Sequence, residues 1–69
     1  MKYCVIKRTG NVIVQIMLNH VNNKYHFVNL TKGHICKCAF DDISDAVEDM
    51  EQQKQDGRII DYFEIVSGK

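Results

Sequence analysis

The chain has 69 residues, a formal net charge of zero and 45% hydrophobic residues. That leaves room for a single compact domain over residues 1–69 and excludes wholesale disorder. The balanced charge excludes a globally basic nucleic-acid binder. No apolar run approaches the roughly 20 residues of a membrane helix, so no membrane partner is expected.

The cysteine count is odd, three in all, and Cys36 and Cys38 stand too close for a usual structural disulfide. Free thiols are therefore expected. Met1-Lys2-Tyr3 runs into a strand-like pattern with no signal-peptide core, which adds up to a cytoplasmic location.

In chain order, residues 3–8 (YCVIKR) and 12–18 (VIVQIML) are rich in β-branched side chains and flank Thr9-Gly10-Asn11, a hairpin signal. An odd-length loop puts Cys4 and Ile6 on one face with Val12, Val14, Ile16 and Leu18. The other face then carries Tyr3, Val5, Lys7, Ile13, Gln15 and Met17. A two-residue Gly-Asn loop would place Lys7 among the valines, so burial selects the odd loop.

Asn19 to Asn23 reads as a turn, because Asn tolerates the left-handed conformation and caps its own backbone. Residues 24–30 (KYHFVNL) form a third strand, Thr31-Lys32-Gly33 a compact turn, and residues 34–40 (HICKCAF) a fourth strand. Residues 41–57 (DDISDAVEDMEQQKQDG) are helical: Asp42 is the N-cap, with Asp45 three residues on. Ile43, Ala46, Val47 and Met50 make one apolar stripe, and Gly57 is the stop. Residues 59–66 (IIDYFEIV) are a fifth strand, and Ser67-Gly68-Lys69 a frayed end.

The fold class is therefore α+β in the order β-β-β-β-α-β: an antiparallel meander of four strands, one helix packed on one face, and a C-terminal fifth strand. The helix returns the chain so that strand five runs antiparallel to strand one, giving the sheet order 5-1-2-3-4. The second sheet face, carrying Tyr3, Val5, Ile13 and Met17, would be an exposed apolar patch in a monomer. With the unblunted edge strand, it predicts a homodimer.

Charge is segregated along the chain. Residues 1–40 hold six basic residues and no acid, whereas residues 41–69 hold three basic residues and all nine acids. Two binding surfaces follow from this. The acidic helix, through Asp45, Glu48, Asp49 and Glu51, is the expected contact of a non-enzymatic protein-interaction or inhibitor module. Such a module would mimic a phosphate backbone, in the manner of a small phage or mobile-element protein.

The alternative is single-stranded DNA or RNA on the basic sheet. There Lys7, Arg8, Lys24, Lys32 and Lys37 would track phosphates, with Tyr25 and Phe27 nearby to stack bases. In element order alone, four meander strands followed by a helix resemble the layout of the small transcriptional-coactivator family that binds single-stranded DNA. The fifth strand departs from that layout. Besides its own copy, the expected partner is a macromolecule, protein in preference to nucleic acid.

Cofactor chemistry is not expected. His34, Cys36 and Cys38 on one strand face, with Cys4 or His26 to complete a set, supply zinc-type donors. A flat C-x-C strand, however, spreads its sulfurs where C-x₂₋₄-C turns gather them, and buried Cys usually packs as a small hydrophobe. His26 facing Cys38 across a three-residue Thr31–Gly33 loop would make a thiol–imidazole pair, but a domain this small has little volume for a catalytic pocket. P-loop, dinucleotide-binding and Ser-His-Asp patterns are absent. An enzyme is not expected.

Overall fold

The structure is a computed structural model that describes residues 1–66. The expected end at Ser67-Gly68-Lys69 lies outside the described residues. The elements run β1 (Lys2–Ile6), β2 (Val12–Asn19), β3 (Lys24–Asn29), β4 (His34–Ile35), α1 (Ile43–Gln55) and β5 (Asp61–Ile65). All five strands join one antiparallel sheet in the order β4-β3-β2-β1-β5, the order expected from chain direction. The helix lies on one face only, and the molecule is correspondingly thin, 33 × 33 × 21 Å.

Local chemistry explains the helix ends. The Asp42 side chain accepts from the Asp45 amide at 3.1 Å, satisfying one orphan donor of the first turn. At the far end Gly57 adopts φ +80°. Its amide donates to the Lys54 carbonyl at 3.1 Å, and the Arg58 amide donates to Gln53 at 2.9 Å. That pair of reversed bonds is a Schellman motif, which asks for a residue without a Cβ at the left-handed position. Between the two caps, Ala46 and Met50 are buried, and Ile43 and Val47 pack against the core from its margin.

The first hairpin differs from the expected register. Tyr3 opposes Val14 and Val5 opposes Val12. Continued outward, this register sets Lys7 against Gly10, and the Gly10 amide donates to the Lys7 carbonyl at 3.1 Å. The loop is therefore two residues long, Arg8-Thr9, and not the odd loop. Tyr3 and Val5, expected on the second face, are buried under the helix with Val12, Ile16, Phe27, Ala46, Met50 and Ile59. Cys4 and Ile6 move to the other side.

Burial did not exclude this arrangement, because Lys7 sits at the strand end. Its stem lies beside Val5 and Val14, and from there its ammonium can reach water.

The fourth strand is also shorter than expected. The loop before it spans Leu30 to Gly33, since Asn29 opposes His34. After Ile35 the pairing is interrupted. The Cys36 amide still donates to Phe27, but residues 37–39 bulge out before Phe40 regains a bridge to Tyr25. A disulfide joins Cys36 to Cys38, with Cα atoms 5.4 Å apart, so the expectation of free thiols holds only for Cys4. Strand five begins at Asp61 and not at residue 59. Ile59 instead plugs the core from the preceding turn.

Candidate interaction surface

Alternation along the strands and the pairing register define the side of the sheet that the helix does not cover. Ile65, Lys2, Gln15, Val28 and Ile35 form one row across all five strands. Phe63, Cys4 and Ile13 form the next row, with Ile6 beyond it, while Met17 and His26 flank the first row on its other side. Eight of these side chains are apolar or a thiol. Phe63 is 54% exposed, Ile35 64% and Met17 44%.

Pairing at about 4.8 Å between strands, with about 3.3 Å per residue along them, makes this face roughly 24 by 20 Å. A shallow depression of about 310 Å³ lies at its β2–β3–β4 end, lined in part by Met17, His26, Val28 and Ile35.

His26 closes one end of the face with a defined tautomer. Its Nδ1 lies 3.1 Å from the Cys36 carbonyl and its Nε2 lies 3.0 Å from the Asn22 side-chain amide. A carbonyl only accepts and an amide nitrogen only donates, so the ring that satisfies both carries its proton on Nδ1. The imidazole is thus engaged in holding the bulge to β3. The thiol partner imagined for it is not free, because Cys38 is in the disulfide.

The acidic residues are not gathered into one patch. Asp45 and Glu48 are exposed on the outer side of the helix. Asp49 accepts from the Gln53 side chain at 2.8 Å. Glu51 lies on the flank toward β5, accepting from the Tyr62 hydroxyl at 2.8 Å and from Gln55 at 3.4 Å.

The Tyr62 hydrogen bond is the main cause that holds the Glu51 carboxyl below the usual range, and the same bond pushes the Tyr62 phenol up. Tyr62 in turn meets Tyr3 edge-on at 6.1 Å between ring centroids. On the opposite flank Phe27 meets Phe40 edge-on at 5.2 Å. Glu51 therefore helps seat the helix on the sheet. That task was not visible in the sequence, where Tyr62 lies eleven residues away.

The basic residues are divided as well. Lys7, Arg8 and Lys32 lie at the end of the sheet where the β1–β2 and β3–β4 loops meet, tied by the Thr31 hydroxyl accepting from the Ile13 amide at 2.8 Å. Lys24 is at the other end and pairs with Asp41. Lys37 is in the bulge. Of the basic residues among those described, only Lys2, outside the expected set, belongs to the open face.

Among the described residues, no group of three or more His, Cys, Asp or Glu converges on a point that could hold a metal ion. Cys4 lies on β1, two strands from the β3 that pairs with the Cys36 segment. No helix among the described residues is long and apolar enough to cross a membrane. Compared with known protein families, curated proteins and solved structures, the chain finds no match.

Proposed function

We propose that this chain is a cytoplasmic, non-enzymatic protein-interaction module that works as a homodimer closed over the open sheet face. The observation that carries the reading is the row structure of that face: Phe63, Cys4 and Ile13 beside Ile65, Val28 and Ile35, with one charge, Lys2, among them.

A second copy suits the face in three respects. A flat projection of about 480 Å² grows with side-chain relief toward the roughly 800 Å² per partner of a standard interface. The chain has a formal net charge of zero, so two copies do not repel. And a core of eight buried side chains gains a second apolar layer when the sheets stack about 10 Å apart. Such a dimer turns both helices outward and displays Asp45 and Glu48 twice, the arrangement of a regulatory or inhibitor protein that meets a basic partner.

Light scattering across a concentration series tests this. The expected result is twice the 8.0 kDa chain mass, falling to the single mass for Phe63→Lys and Met17→Lys with unchanged far-UV circular dichroism. A wild-type chain that stays at the single mass at high concentration would sink the proposal.

A further inference from the structure

Cys36 and Cys38 carry an inference that the interaction surface does not use. The disulfide closes across a single intervening residue. A loop that short removes little entropy from the unfolded chain, so the bond contributes little as a staple. Lys37 lies between the two cysteines in the sequence. The Cys38 amide donates to Cys36 Sγ at 3.3 Å. Both sulfur-bearing residues are partly exposed at the end of the two-residue edge strand. Cys36 also lines a cavity of about 170 Å³ together with Lys7, His34, Asn29 and Phe27. The Lys7 ammonium and the Asn29 amide among mostly apolar walls suit a small carboxylate.

We infer that Cys36–Cys38 is a thiol–disulfide exchange site whose co-reactant is a small carboxylate-bearing thiol. The incoming thiolate bonds to Cys36 Sγ as the Cys36–Cys38 bond breaks, and the electron pair leaves on Cys38 Sγ, which takes a proton from water. A second thiolate then attacks the small-molecule sulfur of the mixed disulfide. That step forms the small-molecule disulfide and releases the Cys36 thiolate to the Cys38 amide. Two thiols are oxidised and one protein disulfide is reduced, and the sequence reverses under oxidising conditions.

The test uses the full chain equilibrated in glutathione buffers from reduced to oxidised, acid-quenched, unfolded, alkylated and mapped by mass spectrometry. Cys36 and Cys38 should lose their alkyl groups together as one two-electron transition within the buffer range, while Cys4 follows a separate course. Cys38→Ser should accumulate glutathione on Cys36 in preference to Cys4. With cysteamine, a cationic thiol, reduction of the wild type should be several times slower, and Lys7→Ala should narrow that difference. Three results would overturn the inference: both cysteines alkylated even in the most oxidised buffer, both protected in the most reduced one, or glutathione on Cys38→Ser distributed equally between Cys36 and Cys4.

Discussion

The two faces of the sheet are built from the same kinds of residue and differ in what covers them. Under the helix, Tyr3, Val5, Val12, Ile16 and Phe27 meet Ala46 and Met50 and are sealed from water. On the other side, Cys4, Ile6, Ile13, Met17 and Val28 alternate with them along the same strands, and no helix among the described residues covers them. Strands with one solvated face normally show polar residues there. Apolar alternation on both faces, with a helix for only one, is the composition of a strand buried on both sides. What the contrast teaches is that one apolar face is sealed by the helix while the other, among the described residues, has no element packed over it.

The largest expected effect separates the faces by what they stabilise. Met50→Ala removes a buried side chain from the covered face and should cost about 3 kcal/mol by denaturant unfolding. For a domain this size that is a large share of total stability. Met17→Ala, on the open face, should change the unfolding of the monomer by no more than about 0.5 kcal/mol, measured in dilute solution. At high concentration it should weaken association and reduce the rise of Tm with protein concentration. Equal losses from the two variants in dilute solution would show that the open face is covered within the monomer, and the contrast would collapse.

A smaller effect tests how the covered face is closed at its far end. Gly57 holds φ +80° with open space where a Cβ would project, so Gly57→Ala introduces backbone strain without a clash. The expected cost is about 1 kcal/mol, seen as a lower denaturant midpoint with an unchanged slope. The Schellman turn delivers Ile59 into the core and the Ile60 amide onto the Ile6 carbonyl at 2.8 Å. The loss should therefore appear in amide exchange at β5 before it appears at β3. A uniform loss across the sheet would show that this turn does not set the position of β5.

Much of this architecture is legible in the sequence, and the part that is not has a definable cause. The helix, its Asp42 cap, its Ile43-Ala46-Val47-Met50 stripe and its Gly57 stop follow from spacing and conformational preference. The antiparallel order follows from short loops and one helical return. The hairpin register does not, because Tyr3-Cys4-Val5-Ile6 is apolar at every position and offers no polar face to orient it. The only apparent discriminator, Lys7, was at a strand end where a long side chain escapes burial. β4 ends at Ile35, directly before the Cys36–Cys38 bond and the bulge at residues 37–39, and a strand pattern cannot show either. The composition of the open face follows from that same register, so its apolar character was expected while half of its residues were misplaced. Glu51 reads as one more acid on a solvated helix until the fold brings Tyr62 beneath it.

The smallest effect concerns that seam, where Tyr62 joins the covered face to the helix. The Glu51 carboxyl is held low chiefly by the Tyr62 hydroxyl, while the Tyr62 phenol is raised chiefly by Glu51. A carboxyl whose folded pKa lies below its unfolded value of 4.5 stabilises the fold above that pH, and this contribution fades as pH falls through the folded value. A phenol raised above 10.0 stabilises the fold below that pH, and this contribution fades as pH rises through the folded value. Tyr62→Phe removes both terms at once. Its stability should lie slightly below wild type at neutral pH and converge on it toward both extremes. Part of the acid loss should persist, because Asp42, lowered chiefly by the Ser44 hydroxyl, and Asp61, lowered chiefly by the Tyr62 amide, do not depend on the phenol oxygen. A Tyr62→Phe curve parallel to wild type from acid to alkali would mean that the hydroxyl contributes nothing to seating the helix. The covered face would then be held by apolar packing and the Lys54–Asp61 ion pair at 3.1 Å, differing from the open face chiefly in having found its cover.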